Sequence, residues 1–231
     1  MKNKKLIIFG AGETADIAYE YFTHDSGYEV VAFTVEDKYL DKETHFGLPV
    51  LPWSKIKNHY SPEQVECFVA ISYTKLNRVR AKCYRLVKAA GYTCASYISS
   101  KAFVWHNVKM GDNCMIFENN VIQHGVEIGN GVILWSGNHI GHQTKIEDFV
   151  YISSHVVISG YCVIGAYSFL GVNATFNDRI ILGKNNIVGS GALIVKSSEE
   201  GKLLVGSPAK PAAKTSYEAF GVTEEDLNVP G

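Results

Sequence analysis

Every sixth residue from Val104 to Ile194 is apolar: Val104, Met110, Ile116, Ile122, Ile128, Leu134, Ile140, Ile146, Ile152, Ile158, Ile164, Leu170, Phe176, Leu182, Val188 and Ile194. In a chain that is 46% hydrophobic, sixteen in succession arise by chance on the order of once in 10⁵. A structural unit therefore repeats every six residues, without insertion. Six is neither the helical period nor the two-residue alternation of a strand. The residue after the apolar anchor is glycine seven times: Gly111, Gly129, Gly141, Gly165, Gly171, Gly183 and Gly189. The fourth after it is small or β-branched at most repeats, as in Cys114, Val126, Val132, Thr144, Val150, Val156, Cys162, Ser168, Ala174 and Ala192.

This pattern resembles the hexapeptide repeat. The resemblance implies a left-handed parallel β-helix, in which three hexapeptides make one triangular coil and the anchors fill its interior. Glycine after the anchor is expected to serve the corners, where it tolerates backbone angles that a Cβ penalises. Residues 99–196 are assigned to this all-β domain. A stack of coils ends in unpaired backbone groups, so residues 197–231 are expected to cap one end. Within them VGSPAKP (Val205–Pro211) resembles the closing segment of hexapeptide acyltransferases.

Residues 1–98 follow a different grammar. KLIIF (Lys5–Phe9) is a short apolar run broken by Gly10-Ala11-Gly12. Helical spacing follows from Glu13 to Phe22, with Ile17, Tyr21, Ala18 and Phe22 on one side. Glu29–Thr34 and Val65–Ile71 read as further strands, and Leu76 to Ala90 as a helix closed by Gly91. Strand–helix alternation predicts an α/β, Rossmann-like domain with a small parallel sheet. Gly10, Gly12 and Ala15 make half a dinucleotide fingerprint. A dinucleotide would need about twice this length, so an NAD-dependent reading fails.

Composition excludes other classes. The net charge is −1 with basic residues dispersed, which does not suit a nucleic-acid surface. Five cysteines without CxxC spacing read as reduced thiols of a cytoplasmic protein. The apolar run before Gly10 is too short for a signal sequence, and no stretch approaches the ~20 apolar residues of a membrane span.

His106, His124 and His142 are eighteen residues apart, so they should stack as a ladder on successive coils, pointing outward. A stack on one face gives poor tetrahedral geometry, so no metal is assigned. The segment GHQTKIEDFVYIS around His142 resembles H-E/D-x-x-I-x-x-F-x-x-I/V-S of a family of bacterial sugar acetyltransferases, which includes the bacillosamine-pathway N-acetyltransferases and the sialic acid O-acetyltransferases. GAG after the first strand, FLGVNATF (Phe169–Phe176), GSGALIVK (Gly189–Lys196) and VGSPAK match as well. The resemblance spans nearly the whole chain and implies transfer of acetyl from acetyl-CoA to the amine of a nucleotide-linked deoxyamino sugar. It implies a cytoplasmic homotrimer serving surface glycan synthesis, such as lipopolysaccharide or O-antigen, with sites in the clefts between prisms.

The resemblance makes His142 the general base. Neutral imidazole, with an ordinary pKa near 6.5, takes the proton that an attacking amine must lose. Many members follow this histidine with an acid; here Gln143 stands in its place and is expected to hold the ring. Glu127 or Asp148 are candidates to assist. Tyr151 lies where some members place a second histidine near the acetyl group. Tyr151, Gly160, Gly171, Ala174, Gly189 and Gly191 are the expected acetyl-CoA contacts. Gly10, Ala11, Gly12, Thr14 and Asp37 are expected at the nucleotide, with Lys75 a candidate phosphate partner. Trp135, Asn138 and His139 are expected along the sugar side.

Three rivals follow from the same residues. O-acetylation of a sialic acid-type hydroxyl needs a stronger base, and Gln143 favours the amine instead. A zinc-dependent β-helix hydrolase of the carbonic anhydrase type also uses histidines on such a coil. A non-catalytic trimeric assembly protein would use the prism alone, but would leave the glycine loop unexplained.

Overall fold

The computed structural model describes Lys2 and residues 4–227. These fall into two compact units. One runs through Ser72 and takes up Lys82–Tyr97; the other joins Tyr73–Ala81 to everything from Ile98 on. No helix among the described residues is long and apolar enough to cross a membrane.

The first unit is the α/β domain. Strand β1 (Lys4–Phe9) leads through the glycine loop into helix α1 (Glu13–His24) and strand β2 (Tyr28–Val35). A short hairpin, β3 (Thr44–His45) and β4 (Leu48–Pro52), precedes β5 (Glu66–Val69). The sheet order is β3-β4-β2-β1-β5, parallel except for β3 against β4. Leu6, Ile7 and Ile8 are buried on both faces, as the unbroken apolar run requires. Ala15, Ala18 and Phe22 form the buried stripe of α1. Helix α2 (Arg78–Ala89) starts two residues later than the sequence suggests, because Lys75, Leu76 and Asn77 all adopt positive φ.

The second unit is a left-handed parallel β-helix. Each residue pairs with the one eighteen positions on, as Val121 with His139 and Ile140 with Ile158. Three flat faces result. Face 1 carries the strands ending at Val104, Ile122, Ile140, Ile158, Phe176 and Ile194; face 2 those at Met110, Ile128, Ile146, Ile164 and Leu182; face 3 those at Ile116, Leu134, Ile152, Leu170 and Val188. Anchors and fourth-position residues together form the continuous core, from Cys114 to Leu204. Leu203–Gly206 and Ala209–Pro211 extend face 3 and close the last coil, the second of them antiparallel.

The corners correct one expectation. Left-handed φ recurs at the third residue after every anchor from Met110 to Val188, whatever its type: Asn113, Asn119, Gln143, Phe149, His155, Tyr161, Tyr167, Asn173, Arg179 and Asn185 share it with four glycines. The glycines directly after the anchors have ordinary φ. They are needed for another reason. A Cβ on Gly141 would meet the backbone of Ser159 at 2.5 Å, and one on Gly165 would meet that of Gly183 at 2.4 Å. The missing side chain lets one coil close onto the next.

The three faces differ in what they show outward. Face 2 presents Lys109, Glu127 and Lys145, with a 3.0 Å Lys109–Glu127 ion pair. Face 3 presents Met115, Ile133, Tyr151 and Ile187, all buried. Face 1 presents Phe103, Val121 and Val157, all exposed.

Residues 73–81, expected with the first domain, pack with the β-helix instead. Asn77 donates to the Tyr167 and Ser168 carbonyls. Arg80 is fully buried and donates to the Gly131 and Phe149 carbonyls at corners of the coil. Burial pushes its guanidinium pKa down to about 10. Arg80→Met is expected to cost roughly 1–3 kcal/mol in urea unfolding, because the orphaned carbonyls outweigh the relief of burying a charge.

Candidate active site

The His142 corner joins face 1 to face 2. The His142 imidazole stands between two rings of neighbouring coils, 5.6 Å from His124 and 5.1 Å from Tyr161, both edge-on. Beneath it lies Gly160, where a Cβ would come within 2.0 Å of His142 Cε1 and 2.2 Å of Nδ1. Nδ1 is buried without a hydrogen-bond partner, so Nε2 is the nitrogen open to a substrate. The backbone is fixed on both sides: His142 N–H donates to Gln123 Oε1 at 2.9 Å, and Tyr161 N–H donates to the His142 carbonyl. Gly160 N–H donates to Asp178 Oδ1 at 3.0 Å. His106, the third rung, is exposed and packs against Trp105.

Gln143 does not hold this ring. Its αL backbone turns the side chain back over Gly125, whose Cβ position is 2.5 Å from Gln143 Nε2. The imidazole is oriented by packing on Gly160, His124 and Tyr161. Nor do the two acids assist it. Glu127 is paired with Lys109 on face 2, and Asp148 accepts from Asn130 N–H at the corner between faces 2 and 3.

Trp135, Gly171, Gly189 and Gly191 lie at the opposite edge of face 1, where it meets face 3. Trp135 stacks on Phe117 at 4.7 Å, and its Nε1–H donates to the Tyr151 hydroxyl. Tyr151 stacks in turn on Phe169 at 5.4 Å, with Tyr73 edge-on at 5.0 Å. Tyr151 is thus part of an aromatic column along face 3. His139 sits in the middle of face 1, paired with Val121 and Val157. One chain therefore does not bring His142 together with Trp135 and the later glycines; the whole width of face 1 separates them.

Two expected contacts are corrected outright. Asn138 is buried, donates to the Trp135 carbonyl and accepts from Val156 N–H at 2.7 Å, so it braces a corner from inside and is closed off from a sugar. Ala174 lies in the sealed interior of the prism and cannot touch a cofactor outside it. Gly171 is small for coil stacking, since its Cβ would meet Ser190 N at 2.6 Å. Gly191 supplies an αL corner.

In the first unit, Gly10 has φ +132°, and a Cβ there would lie 2.7 Å from the Ala70 carbonyl oxygen. Only glycine lets β1 and β5 leave the sheet so close together. Gly12 caps α1 without a side-chain bond; the Ala15 and Asp16 N–H groups donate to its carbonyl, which leaves those of Glu13 and Thr14 unsatisfied by the helix. Ala11 is half-buried beside them. Asp37 accepts from Ser54 N–H at 3.1 Å and Ser54 Oγ–H at 2.5 Å, and these bonds hold its carboxyl below the usual range. Lys75, in the second unit, donates to the Gly221 carbonyl and pairs with Asp226 at 3.6 Å, so its ammonium is already engaged. Sequence reasoning missed Lys42, whose Nζ donates to the Ala11 carbonyl at 2.8 Å. No motif marks it; only the folding of the β2–β3 connection brings it there. Among the described residues no cluster of three metal-binding side chains occurs.

Residues 5–87 match the PglD N-terminal domain, and residues 107–142 match the bacterial transferase hexapeptide (six repeats). No curated protein sequence matches the chain. Among solved structures, the acetyltransferase domain of PglB from Neisseria gonorrhoeae FA1090, in complex with acetyl coenzyme A, is similar at 28% identity and a TM-score of 0.81, covering 91% of this chain and 100% of that one. A histidine-to-asparagine mutant of perosamine N-acetyltransferase from Caulobacter crescentus, in complex with CoA and GDP-perosamine, shares the fold at 23% identity and a TM-score of 0.81, over 91% of this chain and 97% of that one. WeeI from Acinetobacter baumannii AYE shares it at 21% identity and a TM-score of 0.73, over 91% and 100%. The chain thus joins a segment that matches the PglD N-terminal domain to one that matches the bacterial transferase hexapeptide, and over 91% of its length it is similar to the solved PglB acetyltransferase domain.

Proposed function

We propose that the protein transfers acetyl from acetyl-CoA to the amine of a nucleotide-linked deoxyamino sugar, in the cytoplasm, for surface glycan synthesis. The observation that carries this reading is the His142 corner: an imidazole set on Gly160 with Nε2 outward, in a chain whose neighbours bind acetyl-CoA, CoA and GDP-perosamine. The sugar amine attacks the thioester carbonyl, the C–N bond forms, and His142 Nε2 takes the proton the nitrogen sheds. The C–S bond then breaks, and the departing thiolate recovers a proton from the imidazolium. Direct attack needs no acyl-enzyme, and every cysteine is buried. The glycine loop and α1 of the first unit would bind the diphosphate, by N–H groups and the helix dipole.

Thiol release from acetyl-CoA, measured against UDP-, dTDP- and GDP-linked amino sugars and free sialic acid, tests the reading. Turnover with one nucleotide amino sugar is expected. Turnover with sialic acid alone would replace it by O-acetylation, and turnover with none would remove it.

The working assembly is proposed to be a homotrimer closed through face 1, the face that leaves Phe103, Val121 and Val157 exposed. This would bring the two edges of face 1, on different copies, toward one cleft. Val157→Asp is expected to shift the sedimenting species from trimer to monomer and to lower kcat, since each site needs two chains. A trimer unchanged by this substitution would place the interface elsewhere.

A further inference from the structure

Asp16, His45 and Lys42 form a relay of hydrogen bonds that ends on the glycine loop, and the transfer chemistry makes no use of it. His45 Nε2 lies 2.6 Å from Asp16 Oδ1, and His45 Nδ1 lies 3.0 Å from Lys42 Nζ. An ammonium has only protons to give, so Nδ1 accepts. The ring's proton then sits on Nε2 and bonds the Asp16 carboxylate. The imidazole thus separates anion from cation, with the cation on the side of the loop. Its own place is fixed by Phe33 and Phe46, each with its ring centroid 4.8 Å away.

The relay solves an electrostatic problem at this loop. Glu13 and Asp16 both lie in the first turn of α1, where their charge opposes an incoming anion. His45 occupies the Asp16 carboxylate, and Lys42 supplies positive charge at the Ala11 carbonyl, 2.8 Å away. That carbonyl is a neutral acceptor, and an ammonium bonds a phosphate oxygen more strongly. The twelve-residue helix lacks a side-chain cap, and with the Ala15 and Asp16 N–H groups bonded to the Gly12 carbonyl, those of Glu13 and Thr14 stay free at the loop that Lys42 reaches.

We propose that Lys42 binds the diphosphate of the nucleotide-linked sugar, poised at the Gly10–Gly12 loop by Asp16 and His45 as positioning residues. This rests on the nucleotide-sugar reading above. On binding, the ammonium exchanges the Ala11 carbonyl for phosphate oxygen while His45 keeps its grip.

Calorimetric binding of UDP, dTDP and GDP, and of their parent nucleosides, to wild type and to Lys42→Met tests it, with Lys42→Gln as a second variant should the first fold poorly. The diphosphate that wild type binds best is expected to lose about 10- to 100-fold in affinity, while its nucleoside changes less than about twofold. KM for the nucleotide sugar rises and kcat holds. His45→Asn, which unseats the lysine, gives a smaller loss with the same dependence on phosphate. Equal losses for diphosphate and nucleoside would mean a distorted loop and overturn the proposal. So would unchanged diphosphate binding by a variant whose wild type acetylates a nucleotide sugar. A wild type that binds acetyl-CoA but no nucleoside diphosphate would instead remove the nucleotide-sugar reading, and the role of Lys42 with it.

Discussion

His142→Ala is expected to lower kcat for acetyl transfer by at least about 100-fold, with thermal stability close to wild type. An amine that attacks a thioester carbonyl must lose a proton, and at this corner His142 offers the accessible imidazole nitrogen. Its contribution to the fold is small by comparison. The backbone bonds to Gln123 and from Tyr161 survive the substitution, and the ring packs edge-on against His124 and Tyr161 and over Gly160. Gln143→Ala is the informative control. Its side chain lies over Gly125 and makes no bond to the imidazole, so kcat should stay near the wild-type value. If His142→Ala keeps its turnover in the thiol-release assay, another group takes the proton. If Gln143→Ala loses as much as His142→Ala, the amide must swing onto Nδ1 once substrate binds.

The fold was legible because the repeat leaves little choice. An anchor every six residues and a small residue four later can both be buried only if the chain turns three corners per coil, and these positions form the core. What lies at the corners was not legible, because polarity does not tell whether a corner side chain points into a cleft or back into the coil. Gln143 folds over the previous rung, whereas Asn138 and Ala174, both fourth after an anchor, go inward with the other residues of that position. Gly171 and Gly160 look alike in sequence, yet one makes room for backbone and the other for an imidazole. The strand–helix grammar of the first domain was legible too, but not the return of residues 73–81 to the β-helix. That depends on Arg80 finding carbonyls 51 and 69 positions further along the chain, a match no local pattern encodes. Lys42 escaped for the same reason: its partners are 31 residues upstream at Ala11 and, through His45, at Asp16.

Gly160→Ala should then be nearly as damaging to catalysis as removing His142, while leaving the fold intact. The added Cβ would lie 2.0 Å from His142 Cε1 and 2.2 Å from Nδ1, far inside contact distance. The backbone at Gly160 has no left-handed φ, so alanine itself is not strained there. Among the nearest atoms only the imidazole is crowded, and it is the far end of a side chain that can rotate away. The ring is therefore what moves. Displacing a catalytic group by about 1 Å costs on the order of 100-fold in rate, and here the whole ring must leave its seat. Gly171→Ala supplies the contrast: its Cβ would strike Ser190 N at 2.6 Å, a backbone atom that cannot swing aside. That variant should lose thermal stability first and activity only as a consequence. Melting temperature and kcat, measured on both variants, separate the two effects. A Gly160→Ala enzyme with wild-type kcat would mean that the productive imidazole does not sit over Gly160. A Gly160→Ala enzyme with a wild-type melting temperature and a kcat lowered about 100-fold would mean that the absence of one methyl group, eighteen residues along the chain from the base, sets where the proton goes.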